Sequence, residues 1–437
     1  MVATRPKEED LQSVATQTMG VPSFRVLKIA PTSFFSDYGC HVRILEETLA
    51  LQALGSTVTI CTYRSGNDVP GLNIRRALGL PWRDGVQVGS SPYRVYFDAL
   101  LSLRTLLASV RVRPHVIHAH LHEGALIGGV LSKLWRVPLI FDYQGSLTSE
   151  MIDHGFMGLS REGGLYRPLL ALERKINGLA DVVLTSSHNA ASVLVSDFGY
   201  PEAKVMPLPD CVNTERFFPR WQVREDDKAA LLARLGIPFN RKLIVYLGLL
   251  AQYQGSGHLL LALAELLKTR GDVHLLMMGF PGQARYQQMA RELGVAEHVT
   301  FTGRVPYGEA PAYLALGDVA VSPKISETEG NGKLLNYMAV GLPTVTFDTP
   351  VSHEILGDLG VYARIGDWES LAVSLDYLLY GDVLAADEIG RALRERAVER
   401  FSWQEAGRRL VSIYESLANG RKHEATVDSM ANGLHSL

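Results

Sequence analysis

The feature that most constrains this chain is a rhythm. Short β-rich apolar runs alternate with helix-patterned stretches, the pattern breaks near residue 207, and it starts again near residue 241. Residues 24–29 read as a strand, and a loop from Pro31 to Cys40 follows. The next helix sets Val42, Leu45 and Leu49 on one face and stops at Gly55. Strands are expected at 57–60, 116–119, 137–141 and 181–185, the last after a helix built on Leu169, Leu172 and Ile176. Alternation of this kind is the signature of a parallel sheet covered by helices on both faces.

The second round repeats the plan. Residues 242–247 form a strand, followed by a loop to Gly257 and a leucine-rich helix to Lys268. Strands at 273–278, 299–301, 319–322 and 344–347 continue the sheet. Between Pro207 and Arg241, prolines and the charged run Arg224-Glu225-Asp226-Asp227-Lys228 interrupt the pattern. A chain of 437 residues is too long for one compact core. The expected division is a disordered leader at 1–22, an α/β domain at 23–212 and a second at 213–400. A helix at 401–419 would pack back across both, leaving a tail at 420–437. Ligands of doubly wound sheets lie beyond the carboxyl ends of the strands, so two such domains face to face would enclose a deep cleft.

Composition removes several function classes. A formal net charge of −3 without a long basic stripe argues against a nucleic-acid binder. The three cysteines, Cys40, Cys61 and Cys211, lie far apart and lack CxxC spacing, which fits a reducing compartment better than a disulfide frame. No run of about 18 apolar residues is present, and the first 22 residues lack a signal-peptide core. A cytoplasmic placement is expected, with the inner face of a membrane as its closest approach to lipid. The mixed basic and apolar segment from Tyr166 to Lys175 could touch such a surface, although a core-facing helix with a solvated basic side explains it more simply.

One loop carries the strongest functional signal. Leu334, Leu335, Met338 and Ala339 repeat with helical spacing, and Gly341 then Pro343 end the helix. Between the strand at 319–322 and this helix lies a small-residue loop, Glu329-Gly330-Asn331-Gly332. A helix N-terminus offers unsatisfied N–H donors and partial positive charge, so its natural ligand is an anion, most often a phosphate. Lys333 in the first turn opposes the dipole, which an adjacent anion would offset. The plainer reading is an ordinary helix start with a solvated lysine.

Other positions offer chemistry as well. Gly39, His41 and Arg43 begin a second anion-facing turn after the first strand. Neither GxGxxG nor GxxxxGK[ST] occurs. His118, His120 and His122 alternate at a strand end and would share one face; without a nearby acidic or cysteine partner, substrate contacts suit them better than a metal. Gln144 opens toward the same cleft. Glu327 and Glu329 read either as solvated loop carboxylates or as contacts to a sugar or electrophilic centre, and the neighbouring anion seat favours the second for Glu329. Arg304, at another strand end, either borders the ligand or lies on the surface.

Together these pieces resemble the retaining glycosyltransferases of family 4 over roughly residues 24–417. The resemblance rests on Val116-Ile117-His118-Ala119-His120, on Ala180-Asp181-Val182-Val183 leading to Ser186-Ser187, and on Pro209-Asp210-Cys211-Val212-Asn213 through Phe217. It also rests on Phe301-Thr302-Gly303-Arg304-Val305 and on Glu329 to Gly332 followed by Tyr337-Met338-Ala339-Val340-Gly341-Leu342-Pro343. It implies an α/β protein of two Rossmann-like, doubly wound parallel-sheet domains facing a central cleft, the GT-B fold. The C-terminal domain would bind a nucleotide-diphosphate sugar, a donor substrate rather than a cofactor, and no metal is implied.

In that scheme Asn331, Gly332, Lys333 and Leu334 hold the diphosphate, the backbone at Arg304 and Val305 meets the base, and Asn336 faces the ribose. Glu329, His120 and Lys333 are the implied catalytic residues. Gly39, His120 and Gln144 would present the acceptor and hold the sugar, the acceptor being a hydroxyl of a glycan, a lipid-linked group or a small molecule. Five positions depart from the family pattern. Leu249 and Gln254 stand where an arginine and a lysine usually meet the diphosphate, Asn336 replaces the second acidic residue one position early, Gln144 replaces a histidine, and Cys211 replaces a glycine. Two lost cations remove usual charge compensation for the leaving group. A nucleotide-sugar epimerase or hydrolase, and a non-catalytic nucleotide-sugar binder, therefore stand beside transfer as alternatives.

Overall fold

The structure, a computed structural model, describes residues 23–36, 39–79, 94–153, 163–325 and 330–434. Two parallel sheets organise it. The first contains β1 (Arg25–Ala30), β2 (Thr57–Thr62), β3 (Asn73–Arg76), β4 (Val116–His120), β5 (Leu139–Tyr143), β6 (Val182–Thr185) and β7 (Val205–Pro207), in the order β3-β2-β1-β4-β5-β6-β7. The second contains β8 (Lys242–Leu247), β9 (Val273–Met278), β10 (Val299–Gly303), β11 (Val319–Ser322), β12 (Thr344–Phe347) and β13 (Val361–Ala363), in the order β10-β9-β8-β11-β12-β13. In each sheet the strand order reverses direction beside the first strand, which places a ligand crevice at the carboxyl ends there.

Helix placement follows from handedness. The connection from β1 to β2 through α1 (Gly39–Ala53) runs one way along the sheet. Those through α2 (Arg94–Val112), α3 (Leu121–Trp135) and α4 (Tyr166–Asn177) run the other way. Right-handed crossovers then put α1 on one face and the other three on the opposite face. Side-chain alternation agrees: Val26, Val58 and Val116 pack with Ile44 and Leu45 of α1, whereas Leu27, Ile117 and Phe141 pack with Leu101, Ile127 and Ile176.

Two further helices matter for the site. α5 (Gly332–Val340) follows β11, and α6 (Trp403–Leu434) returns to the first lobe, continuing past Gly420 where a tail is expected from sequence. The return is specific. Val212 bridges to Ser402, Tyr414 donates or accepts at His118 Nδ1 over 2.7 Å, and Gly407 lies so close to α1 that a Cβ would stand 2.9 Å from Ala50 Cβ. Both lobes share one continuous buried cluster, which includes Phe217, Tyr307, Leu335 and Leu410.

Candidate active site

Between the lobes lies a cavity of about 360 Å³ bordered by the ends of β1, β8, β9 and β11. Asn331, Gly332, Lys333 and Asn336 line it from the second lobe together with Val305, while Gly39 and Gln144 line it from the first. Glycines let three backbone segments converge. A Cβ on Gly279 would lie 2.2 Å from the Gly248 carbonyl oxygen, and one on Gly248, at φ +157°, would meet Lys333 Nζ at 3.0 Å.

α5 starts here with no side chain capping it, so the amides of its first turn face the cavity end as a partial positive charge. The loop ahead of it is pinned from below. Ser322 Oγ donates to Asn331 Oδ1 over 3.1 Å, and buried Lys324 donates to the Gly330 carbonyl over 2.6 Å. Tyr337 locks the helix to β8 and β11 by accepting from Leu247 N at 2.9 Å and donating to Val321 O at 3.2 Å. Lys333 reaches across to Gln254 Oε1 and lies 4.8 Å from the Tyr246 ring centroid. Its ammonium therefore occupies the corner formed by the loop after β8, against Gln254 and Gly248.

The first lobe contributes a largely buried ionic cluster that reaches the cavity, with Arg43 and Asp210 on its lining. Arg43 binds Asp142 through Nε at 2.9 and 3.0 Å, Asp210 through Nη1 at 2.9 Å, and the Leu208 carbonyl at 3.0 Å. Lys28 pairs with Glu47 at 2.7 Å, and His120 Nδ1 meets Asp142 at 2.8 Å. Burial alone would raise the Asp142 carboxyl, but Arg43 and His120 hold it well below the usual range. Burial raises Asp210, with Arg43 acting against it. Burial also keeps His118 neutral, and lowers His41 to about 3 with help from the charge of Arg304.

Several expectations need correction. The Leu334 side chain is fully buried in the core, and its amide donates to the Asn331 carbonyl over 3.0 Å. The His120 side chain is fully buried against Asp142; the guanidinium of Arg304 is exposed, 5.5 Å from the Phe280 ring centroid, while its neighbour Val305 lines the cavity. His122 does not share a face with His118 and His120. β4 ends at His120, Leu121 turns at φ 61°, and His122 faces Phe141, Tyr143 and Glu173 instead. Arg43 reaches the cavity lining with its guanidinium already bonded to Asp142, Asp210 and the Leu208 carbonyl, and His41 is bonded to Thr32. Acidic partners do approach the histidines: ligand atoms of Glu47, His118, His120 and Asp142 lie within 4.8 Å of one another. Lys28 and Arg43 already neutralise both carboxylates, so this donor set suits an internal ion network better than a metal. Glu327 and Glu329 lie outside the described residues.

The sequence reading did not identify Asp142, Glu47 or Lys28. A lysine inside the apolar run Val26-Leu27-Lys28-Ile29 was the available signal, since a buried ammonium demands a carboxylate partner.

Comparison with known proteins agrees with this geometry. Residues 38–211 match the family described as glycosyl transferase 4-like domain, and residues 227–397 match glycosyl transferases group 1. A GDP-mannose-dependent alpha-(1-6)-phosphatidylinositol monomannoside mannosyltransferase of Mycolicibacterium smegmatis is 32% identical over 258 residues, covering 57% of this chain and 66% of that protein. A D-inositol 3-phosphate glycosyltransferase of Corynebacterium diphtheriae is 26% identical over 70% of this chain and 72% of its own length. Among solved structures, sucrose-phosphate synthase of Thermosynechococcus elongatus superposes with TM-score 0.76 at 17% identity, over 90% of this chain and 99% of that one. With both lobes matched and the interlobe cavity in place, this chain belongs to the family 4 glycosyltransferases of GT-B fold.

Proposed function

We propose that this protein transfers a sugar from a nucleotide-diphosphate donor to a hydroxyl acceptor, with retention at the anomeric carbon. The observation that carries the reading is the uncapped N-terminus of α5 opening into the interlobe cavity with Lys333 at its side. A diphosphate seated there gains from main-chain amides, the helix dipole and one ammonium together. The similar mannosyltransferase uses GDP-mannose by its name, which supports a nucleotide-sugar donor here.

Bond cleavage leaves negative charge on the departing diphosphate, and preorganised donors aimed at that charge lower the barrier. Lys333 supplies the cation that Leu249 and Gln254 lack, reaching the same corner from the opposite element. The acceptor hydroxyl enters from the first lobe, where Gln144, fixed by a 3.0 Å bond to Asp142, faces the cavity. Its proton passes to the departing phosphate on the same face, so no protein nucleophile is required. Glu329, beside Gly330, is assigned to the transferred sugar.

Thermal melting with uridine, guanosine and adenosine diphosphates tests the donor half, because selective ligand binding raises apparent stability. Stabilisation by one nucleotide, and sugar release only when acceptor is added, is the expected outcome. No stabilisation by any of the three refutes the assignment.

A further inference from the structure

We propose that the outer face of the first lobe, formed by α2, α3 and α4, seats on an anionic bilayer surface. These three helices cover one side of the sheet, burying Leu101, Ile127 and Ile176 inward. Their outward sides are not polar. On α2, Leu103, Leu106, Leu107 and Val110 follow the spacing of a single helical face, and all are exposed, Leu107 at 54%. On α3, Leu126, Val130 and Leu134 do the same, Val130 at 64%. The two stripes lie on adjoining helices tied at their carboxyl ends by a 3.0 Å bond from Trp135 Nε1 to Ser109 Oγ. Adjoining apolar stripes at this exposure mark a contact surface rather than scattered surface leucines.

Charge decides the occupant. Arg111, Lys133, Arg136, Arg167 and Lys175 are exposed around these stripes. The acids of the three helices are occupied elsewhere: Asp98 by Tyr63, Glu123 by Arg94, and Glu173 by Thr148 and the Leu147 amide. None of them is exposed among the described residues. Among the described residues of these three helices the exposed charges are all cationic, which matches the acyl boundary and the phosphates of an anionic leaflet. A second copy of the chain would bring an identical cationic rim against this one, which disfavours self-pairing. No helix among the described residues is long and apolar enough to cross a membrane, so the contact is peripheral.

The face also adjoins the cleft. Arg94 and Leu121, the first residues of α2 and α3, line the interlobe cavity, and the next residues Val95 and Tyr96 are 73% and 62% exposed. A bilayer against this face would lie at the cavity mouth, where a lipid-borne hydroxyl could enter. That last step rests on the transferase reading; the bilayer contact does not.

Flotation of the full chain with vesicles tests it, using phosphatidylcholine alone and phosphatidylcholine mixed with phosphatidylglycerol. Binding to the mixed vesicles, weakened by salt and reduced about tenfold or more in Leu107→Glu/Val130→Glu with an unchanged melting temperature, is expected. Both substitutions are at exposed positions, and Lys133→Gln/Arg136→Gln gives an independent charge arm with the same expected direction. Absence of wild-type binding to the mixed vesicles overturns the proposal, as does equal binding by the Glu variant. A dimer in sedimentation that the Glu variant abolishes, without vesicle binding, also overturns it and assigns the face to a second copy. Donor stabilisation by a nucleoside diphosphate is read separately, so failure here leaves the transferase reading intact.

Discussion

Lys333→Met is the substitution whose outcome the cavity geometry fixes most closely. Methionine keeps much of the side-chain length and removes one charge. The lysine ammonium is bonded to Gln254 Oε1 and sits 4.8 Å from the Tyr246 ring centroid, next to the first amides of α5. Two opposite unit charges about 4 Å apart interact by about 4 kcal/mol at an effective dielectric of about 20. Part of this is lost because Lys333 must give up its bond to Gln254 and some hydration. The net is that of a hydrogen bond to a charged group, about 1.5–3 kcal/mol. Nucleoside diphosphate affinity should therefore fall roughly 10- to 150-fold, measured by isothermal titration calorimetry at fixed ionic strength.

Two controls separate charge from shape. The salt dependence of binding should flatten in the variant, because one screened attraction is gone. Adding Gln254→Lys to Lys333→Met should restore much of the affinity, since residue 254 reaches the same corner from the β8 loop. A dissociation constant within about twofold of wild type, well under 1 kcal/mol, would refute the placement of the diphosphate beside Lys333.

Three other outcomes follow from the same structure. Arg43→Met strands buried Asp142 and part of the Glu47–Asp210 cluster, so calorimetric stability should drop by about 3–5 kcal/mol; a change under about 1 kcal/mol contradicts the network. His41, neutral in the fold with its pKa lowered to about 3, makes the unfolded state bind the extra proton below about pH 6.5, so stability declines as pH falls from there. By pH 5 the cost is about 2 kcal/mol, and His41→Gln should melt with a shallower acid slope than wild type. Gly279→Ala forces a Cβ to 2.2 Å from the Gly248 carbonyl oxygen, so nucleotide binding should fall by tenfold or so while the distal helices keep their amide-exchange protection; unchanged binding would mean that the cavity floor gives way freely.

How much of this was legible in the chain depends on burial. Strands inside the sheets, such as β4 and β11, are apolar runs closed by loops and stand out from sequence. β3, β7 and β13 were missed, and each is an edge strand of three or four residues without an apolar run. The helix start at Gly332 was legible in sequence because it is local, set by a loop and the helix that follows it. The ionic cluster was not, because Lys28, Arg43, Glu47, Asp142 and Asp210 come from separate elements and meet only after folding. His122 was misplaced because a period-2 reading cannot register the turn at Leu121, where a residue with a Cβ adopts the left-handed region.

That cluster also bears on how the proposed anion seat could stand beside a carboxylate. Asp210 Oδ2 lies 2.8 Å from where a Cβ on Gly330 would stand and 3.4 Å from one on Gly332, directly under the loop that leads into α5. An uncompensated carboxylate there would repel the diphosphate that the amides attract. Arg43 binds Asp210 at 2.9 Å and cancels its field, while its remaining donors go to Asp142 and Leu208. Under the proposed donor reading, the role of Arg43 is to neutralise the acid beneath the loop that leads into α5. The two effects of Arg43→Met are separable, because Arg43→Met/Asp210→Asn removes the offending charge along with its partner. Nucleotide affinity should recover in the double variant even though Asp142 remains unpaired and stability stays low. Recovery of both together, or of neither, would mean that Asp210 exerts no repulsion at the seat.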